Sequence, residues 1–133
     1  CPHVGLHYGV TVSVMNVMAL PELFAALGSE LGAGPGDIYL HSLQDPEFYR
    51  TQVLPPEMKA KAAAGLRVAA ARFIAGRRPG DPGVTSLLRQ IEGIIRYMAA
   101  QDLRGQLPRL RWWSRNLDRL RQEDSRLFMA GLD

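Results

Sequence analysis

The sequence predicts a helix-rich α/β fold in which one strand–helix–strand unit leads into a C-terminal helical region. Three observations carry this. Val10-Thr11-Val12-Ser13-Val14-Met15-Asn16 alternates apolar and polar side chains and is dense in β-branched residues, which suits a half-buried strand. Leu20-Pro21-Glu22-Leu23 follows at once, with a proline suited to the first turn of a helix. The second half carries three apolar stripes at helical spacing. In folds where a strand runs directly into a helix, ligands sit outside the carboxyl ends of the strands, here near Met15 and Asn16.

Taken in order, residues 1–9 are small and polar with no clear period. Cys1, His3 and His7 could ligate a metal if the segment folded back, but no partner spacing elsewhere supports a site. Residues 10–17 form the expected first strand. Residues 21–31 read as a helix with Leu23, Phe24, Leu27 and Leu31 on one stripe. Gly32-Ala33-Gly34-Pro35-Gly36-Asp37 breaks the chain as a plain loop, since no phosphate-binding fingerprint with a following lysine is present. Ile38-Tyr39-Leu40-His41-Ser42-Leu43 is the second strand. Strand, helix and strand make a βαβ unit, so the two strands should be parallel neighbours. Asn16 and His41 would then lie at the same end of the sheet. His41 reads equally well as a ligand contact or as a hydrogen-bonded strand histidine.

Residues 44–56 form an irregular connection with a turn at Asp45-Pro46, anchored on the sheet by Phe48, Tyr49, Val53 and Leu54. A long helix over 56–75 follows, with Met58, Ala62, Leu66, Ala69 and Phe73 on its apolar side and Gly76 at its C-cap. The next helix, 84–100, has the broadest apolar face: Val84, Leu87, Leu88, Ile91, Ile94, Ile95 and Met98. Asp102 is placed to cap the next segment. The last helix, 108–122, carries Leu110, Trp113, Leu117 and Leu120 as its stripe, with arginines toward the other side. Residues 1–54 and 55–133 thus differ in character but fit one compact unit.

Composition narrows the possibilities. A chain of 133 residues is long enough to bury a core, and no apolar run approaches the ~20 residues that cross a bilayer. No signal-peptide pattern is present, and a start at Cys1 fits a fragment. One cysteine suits a reducing, cytoplasmic setting and cannot by itself hold an iron–sulfur cluster. Charge is split: residues 1–50 sum to −4 and residues 51–133 to +7, within a total of +3. The basic half fits either an anionic partner or a set of solvated helix faces. No Ser/His/Asp or Cys/His set, zinc-protease helix or P-loop can be assembled.

The run Thr11-Val12-Ser13-Val14-Met15-Asn16-Val17 with Leu20-Pro21-Glu22 resembles a strand-to-helix passage in radical S-adenosylmethionine enzymes of the twitch type. So do His41-Ser42-Leu43-Gln44-Asp45-Pro46-Glu47-Phe48-Tyr49, Val53-Leu54-Pro55 with Lys59, and the tail segments Ile91 to Met98, Asp102 and Leu117 to Arg121. The likeness runs through residues 10–128 in order. It implies the last strands of a partial TIM-type barrel followed by a C-terminal helical cap. Such enzymes bind a four-iron, four-sulfur cluster on a CxxxCxxC loop that precedes the matched region, and the cluster cleaves S-adenosylmethionine to a radical. This sequence lacks that loop, so the resemblance implies a chain that is inactive alone and needs a missing N-terminal half or a partner chain carrying the cluster. By position, Ser13, Asn16 and His41 would face cofactor or substrate in the complete enzyme. The tail would cap the barrel or hold a peptide substrate.

A second reading competes with this one. A mainly helical module could bind nucleic acid or a protein partner through Arg109, Arg111, Trp112, Arg115, Arg119 and Arg121. Tryptophan with arginine is the mixture found at binding hot spots and in base stacking.

Overall fold

The computed structural model describes residues 4–127 and Leu132. Of the three residues considered above for a metal, Cys1 and His3 lie outside the described residues. The described chain is helix-rich with a small two-stranded parallel sheet: β1 (Tyr8–Val12), α1 (Leu20–Leu31), β2 (Ile38–Ser42), α2 (Pro56–Ile74), α3 (Pro82–Ala99) and α4 (Leu107–Arg121). β1 and β2 pair in register from Tyr8 opposite Ile38 to Val12 opposite Ser42. The strand–helix–strand unit is therefore present as the sequence predicts.

The first strand is displaced from its expected span of 10–17. It begins at Tyr8 and stops at Val12, because the next four residues turn. The Asn16 carboxamide makes the turn: its Oδ1 accepts from the Ser13 N–H at 2.9 Å, and its Nδ2 donates to the Thr11 carbonyl at 2.8 Å. A short polar side chain that offers the backbone such bonds competes with the sheet ladder. The alternation through 10–16 was a true strand signal for half its length only. A 3₁₀ turn over Val17–Ala19 then feeds α1, which starts with Pro21 in its first turn and ends at Gly32 with φ of 65°. That left-handed C-cap is open to glycine at no steric cost.

One face of the sheet is buried. Val12, Ile38 and Leu40 point into a core shared with Phe24 of α1, Leu66 of α2, and Leu87, Ile91 and Met98 of α3. Residues of 1–54 and of 55–133 thus pack in a single cluster. On the opposite face, Gly9, Thr11, Tyr39 and His41 are exposed. The two edges also differ. α3 lies along β2, where Gln90 lends its side chain as a surrogate strand: the Leu40 N–H donates to its Oε1 at 2.6 Å, and its Nε2 donates to the Ile38 carbonyl at 3.1 Å. No described strand pairs with the outer edge of β1.

The connection 44–56 contains two 3₁₀ turns, Glu47–Tyr49 and Thr51–Val53, and its Asp45–Pro46 bond is cis. Phe48, Val53 and Leu54 are buried, as expected of anchors. Gln52 ties the connection to the end of α3 by donating to the Tyr97 carbonyl at 2.8 Å. The face α4 buries is rotated from the expected one. Leu110 and Ser114 are buried and Leu117 half-buried, while Leu120 is 81% exposed. Trp113 leaves the stripe to stack on Phe48, with centroids 6.0 Å apart and planes at 5°.

Exposed ion pairs among the described residues include Arg67–Glu92, Arg104–Asp102 and Arg126–Asp124. Asp102 also accepts from the Arg104 N–H at 3.2 Å, one residue ahead of Leu103, which is the N-cap of the short turn before α4. Hydrogen bonds from the arginine partners hold Glu92, Asp102 and Asp124 below their ordinary carboxylate values. A carboxylate lowered in the folded state contributes above its unfolded value and loses that contribution as pH falls through the folded one. All three pairs face water, so the contribution is screened. Acid titration followed by circular dichroism should show a shallow loss of melting temperature below the ordinary carboxylate range. About 1 M salt should flatten it.

Candidate functional site

The carboxyl ends of the two strands are where this frame brings polar groups together. The parallel register sets Thr11 beside His41, and the Leu43 N–H extends the pairing to the Val12 carbonyl at 2.9 Å. The turn 13–16 and His41 therefore share one end of the sheet, as the sequence predicts. Within that end the three expected contact residues divide. His41 is exposed on the open face. Ser13 is buried, and its Oγ accepts from the Met15 N–H at 3.2 Å. Asn16 spends both ends of its carboxamide on the backbone of its own turn. Ser13 and Asn16 thus shape the strand end, and His41 with Thr11 presents side chains to whatever lies over the face.

Beyond the turn, a cleft of about 270 Å³ opens between Met15, Tyr49, Leu117 and Arg121. The Val14 N–H donates to the Tyr49 carbonyl at 2.9 Å, which fixes one wall to the strand end. Burial raises the Tyr49 hydroxyl above its ordinary value, and the nearby Arg121 cation opposes the shift. The hydroxyl is therefore protonated at neutral pH and can donate as well as accept. α4 packs on the 3₁₀ turn Glu47–Tyr49 and forms the far wall of this cleft.

The six residues expected on a partner face of α4 divide as well, Arg121 lining the cleft beside Tyr49. Arg111, Trp112, Arg115 and Arg119 line one surface depression of about 420 Å³. The three arginines stand one turn apart, and Trp112 is 59% exposed. Arg115 and Arg119 have no ion-pair partner among the described residues, while Arg111 donates to the Leu132 carbonyl at 2.7 Å. Arg109 lies elsewhere: its guanidinium sits 5.0 Å from the Phe48 ring, which Trp113 also stacks on. Four residues apart on α4, Arg109 and Trp113 clamp Phe48 and so hold the helix to the connection.

The cluster that the resemblance implies does not fit this chain. Its ligands are thiolates, and the one cysteine of the sequence is Cys1, outside the described residues. For S-adenosylmethionine, the exposed pair Thr11 and His41 offers hydrogen-bonding side chains beside an open face, whereas Ser13 and Asn16 are engaged. No helix among the described residues is long and apolar enough to cross a membrane.

Gln90, which seals the edge of β2, is absent from the residues that the sequence singles out. Its signal was a single amide at the border of the otherwise apolar stripe of α3, next to Ile91 and one turn from Leu87. Compared with known protein families, curated proteins and solved structures, the chain matches none.

Proposed function

We propose that this chain is the closing end of the partial barrel of a twitch-type radical S-adenosylmethionine enzyme, with α4 as a helical cap. One observation carries the reading: a parallel strand pair with a polar uncovered face, one edge sealed and one open. Barrel strands alternate between helix-facing and lumen-facing residues. Here Val12, Ile38 and Leu40 meet the helices, and Thr11, Tyr39 and His41 lie on the other side. Gln90 ends the sheet at β2. The unpaired edge of β1 then receives the preceding strand. Two strands alone are marginal, and an exposed edge is a template for further pairing.

In this reading the radical chemistry comes from the N-terminal half or a partner chain bearing CxxxCxxC, in the reducing cytoplasm. This chain supplies Thr11 and His41 to the lumen, a protonated Tyr49 at the cap, and a cleft suited to part of a peptide substrate. The test is isolation, without oxygen, of the source-cell polypeptide that contains these residues. The expected product carries CxxxCxxC on the same chain or on a tightly bound partner, contains iron, and releases 5′-deoxyadenosine from S-adenosylmethionine under reduction. In that enzyme His41→Ala should lower turnover while leaving the melting temperature unchanged. A native product of this length, with no iron and no such partner, contradicts the reading.

A second reading is favoured by the surface of α4 alone. Three arginines at successive turns beside an exposed tryptophan suit a single-stranded nucleic acid, with phosphates on the guanidinium groups and a base on Trp112. An affinity that falls steeply with salt, and that Arg115→Ala and Arg119→Ala weaken together, would support it.

A further inference from the structure

A wide groove lies away from the open sheet face, between α1 and α2. It encloses about 910 Å³ and is walled by small residues, Ala25, Gly28, Ala64 and Gly65 among them. Phe73 and Val68 supply apolar surface over the buried Phe24, and Val68 is 52% exposed there. Three cations border it, Lys61, Arg72 and Arg77, and no acidic residue lines it. None of the three cations has an ion-pair partner among the described residues. On the Arg77 side, Asp37 accepts from the Gly34 N–H at 2.7 Å.

The two glycines in the walls differ in kind. A Cβ at Gly28 would stand 3.0 Å from the Phe73 ring, so packing alone accounts for it. A Cβ at Gly65 would meet only Pro21 Cγ, at 3.9 Å, an ordinary contact. Glycine inside a helix costs about 1 kcal/mol relative to alanine. At Gly65 the fold gains nothing in return, while the groove gains depth. Lys61, Gly65, Val68 and Arg72 recur along one side of α2 at heptad-like spacing. The eleven steps from Lys61 to Arg72 rise about 16 Å, three turns of helix.

We propose that this groove receives an acidic amphipathic helix of a partner protein. Its narrow apolar stripe lies on Val68 and Phe73, the small walls permit the close approach of a third helix, and its carboxylates meet Lys61 at one end and Arg72 with Arg77 at the other. The groove is open along its length, which suits a helix, and its charge is of one sign, which selects an acidic one.

The test uses a fluorescein-labelled helical peptide of about 18 residues, with Ala and Leu on the stripe and Glu on both flanks. Two controls accompany it: the same peptide with Lys for Glu, and a scramble of the same composition that breaks the stripe. Anisotropy should show the acidic helix binding the full chain, with both controls at least about tenfold weaker. In Lys61→Glu/Arg72→Glu the preference should invert toward the Lys peptide. Gly65→Leu fills the groove and raises helix propensity, so it should keep or raise the melting temperature and weaken binding at least about tenfold. The proposal is overturned if the acidic helix does not bind in the millimolar range, if the scramble binds as well, if charge reversal leaves the preference unchanged, or if Gly65→Leu binds as the wild type does.

Discussion

Gln90→Ala should destabilise the protein by about 2–4 kcal/mol, read as a shift in the urea midpoint with an unchanged slope. The substitution removes little apolar contact, yet it strips two backbone groups of β2 at once. The Leu40 N–H loses the Oε1 acceptor, and the Ile38 carbonyl loses the Nε2 donor. Both residues are buried, so water replaces these bonds poorly, and each orphaned group costs about 1–3 kcal/mol. Gln90→Glu separates the two bonds. It keeps an acceptor for the Leu40 N–H but turns a carboxylate oxygen on the Ile38 carbonyl. That repulsion raises the folded-state value of the new carboxyl above its unfolded one. Stability is therefore fuller at low pH and is lost as pH rises through the raised value. A melting temperature for Gln90→Glu that approaches the wild type on acidification supports the edge role. A flat difference across pH does not.

Asn16→Ala should cost about 1–3 kcal/mol. This places Asn16 in the fold rather than on a ligand. Its carboxamide turns the chain at the end of β1 by serving the Ser13 N–H and the Thr11 carbonyl, and the residue next to that N–H is fully wrapped by the core. Asn16→Asp retains the acceptor and loses the donor, so it should fall between the wild type and the alanine variant. Thermal unfolding of the three proteins checks the order. Equal melting temperatures would return Asn16 to the cofactor- or substrate-facing role that its position first suggests.

These two residues mark where the sequence is legible and where it is not. α1, α2 and α3 stand within two residues of the expected bounds because each carries an apolar stripe that only a helical period explains. β2 likewise begins at Ile38, where a glycine-rich break ends. β1 was misplaced because alternation continues into residues that a side-chain hydrogen bond removes from the strand. The buried side of α4 turns on a contact that no local pattern encodes: Trp113 leaves the stripe for Phe48, some sixty residues earlier, and Leu120 is left outside. Gln90 reaches β2 from fifty residues away. The groove between α1 and α2 is of the same kind, since its floor exists only once the two helices are placed side by side. The pairing of His41 with Thr11 was within reach, because a parallel register follows from the βαβ order itself.

The central claim is that the outer edge of β1 takes another strand. Hydrogen exchange over Tyr8–Val12 tests it most directly, comparing the isolated 133-residue chain with the polypeptide recovered from its source cells. The account predicts that the outward amides of β1 exchange freely in the isolated chain and become protected in the native polypeptide, while β2, already sealed by Gln90, changes little. Equal exchange of β1 in the two would mean that no strand joins that edge, and the partial-barrel reading would fall.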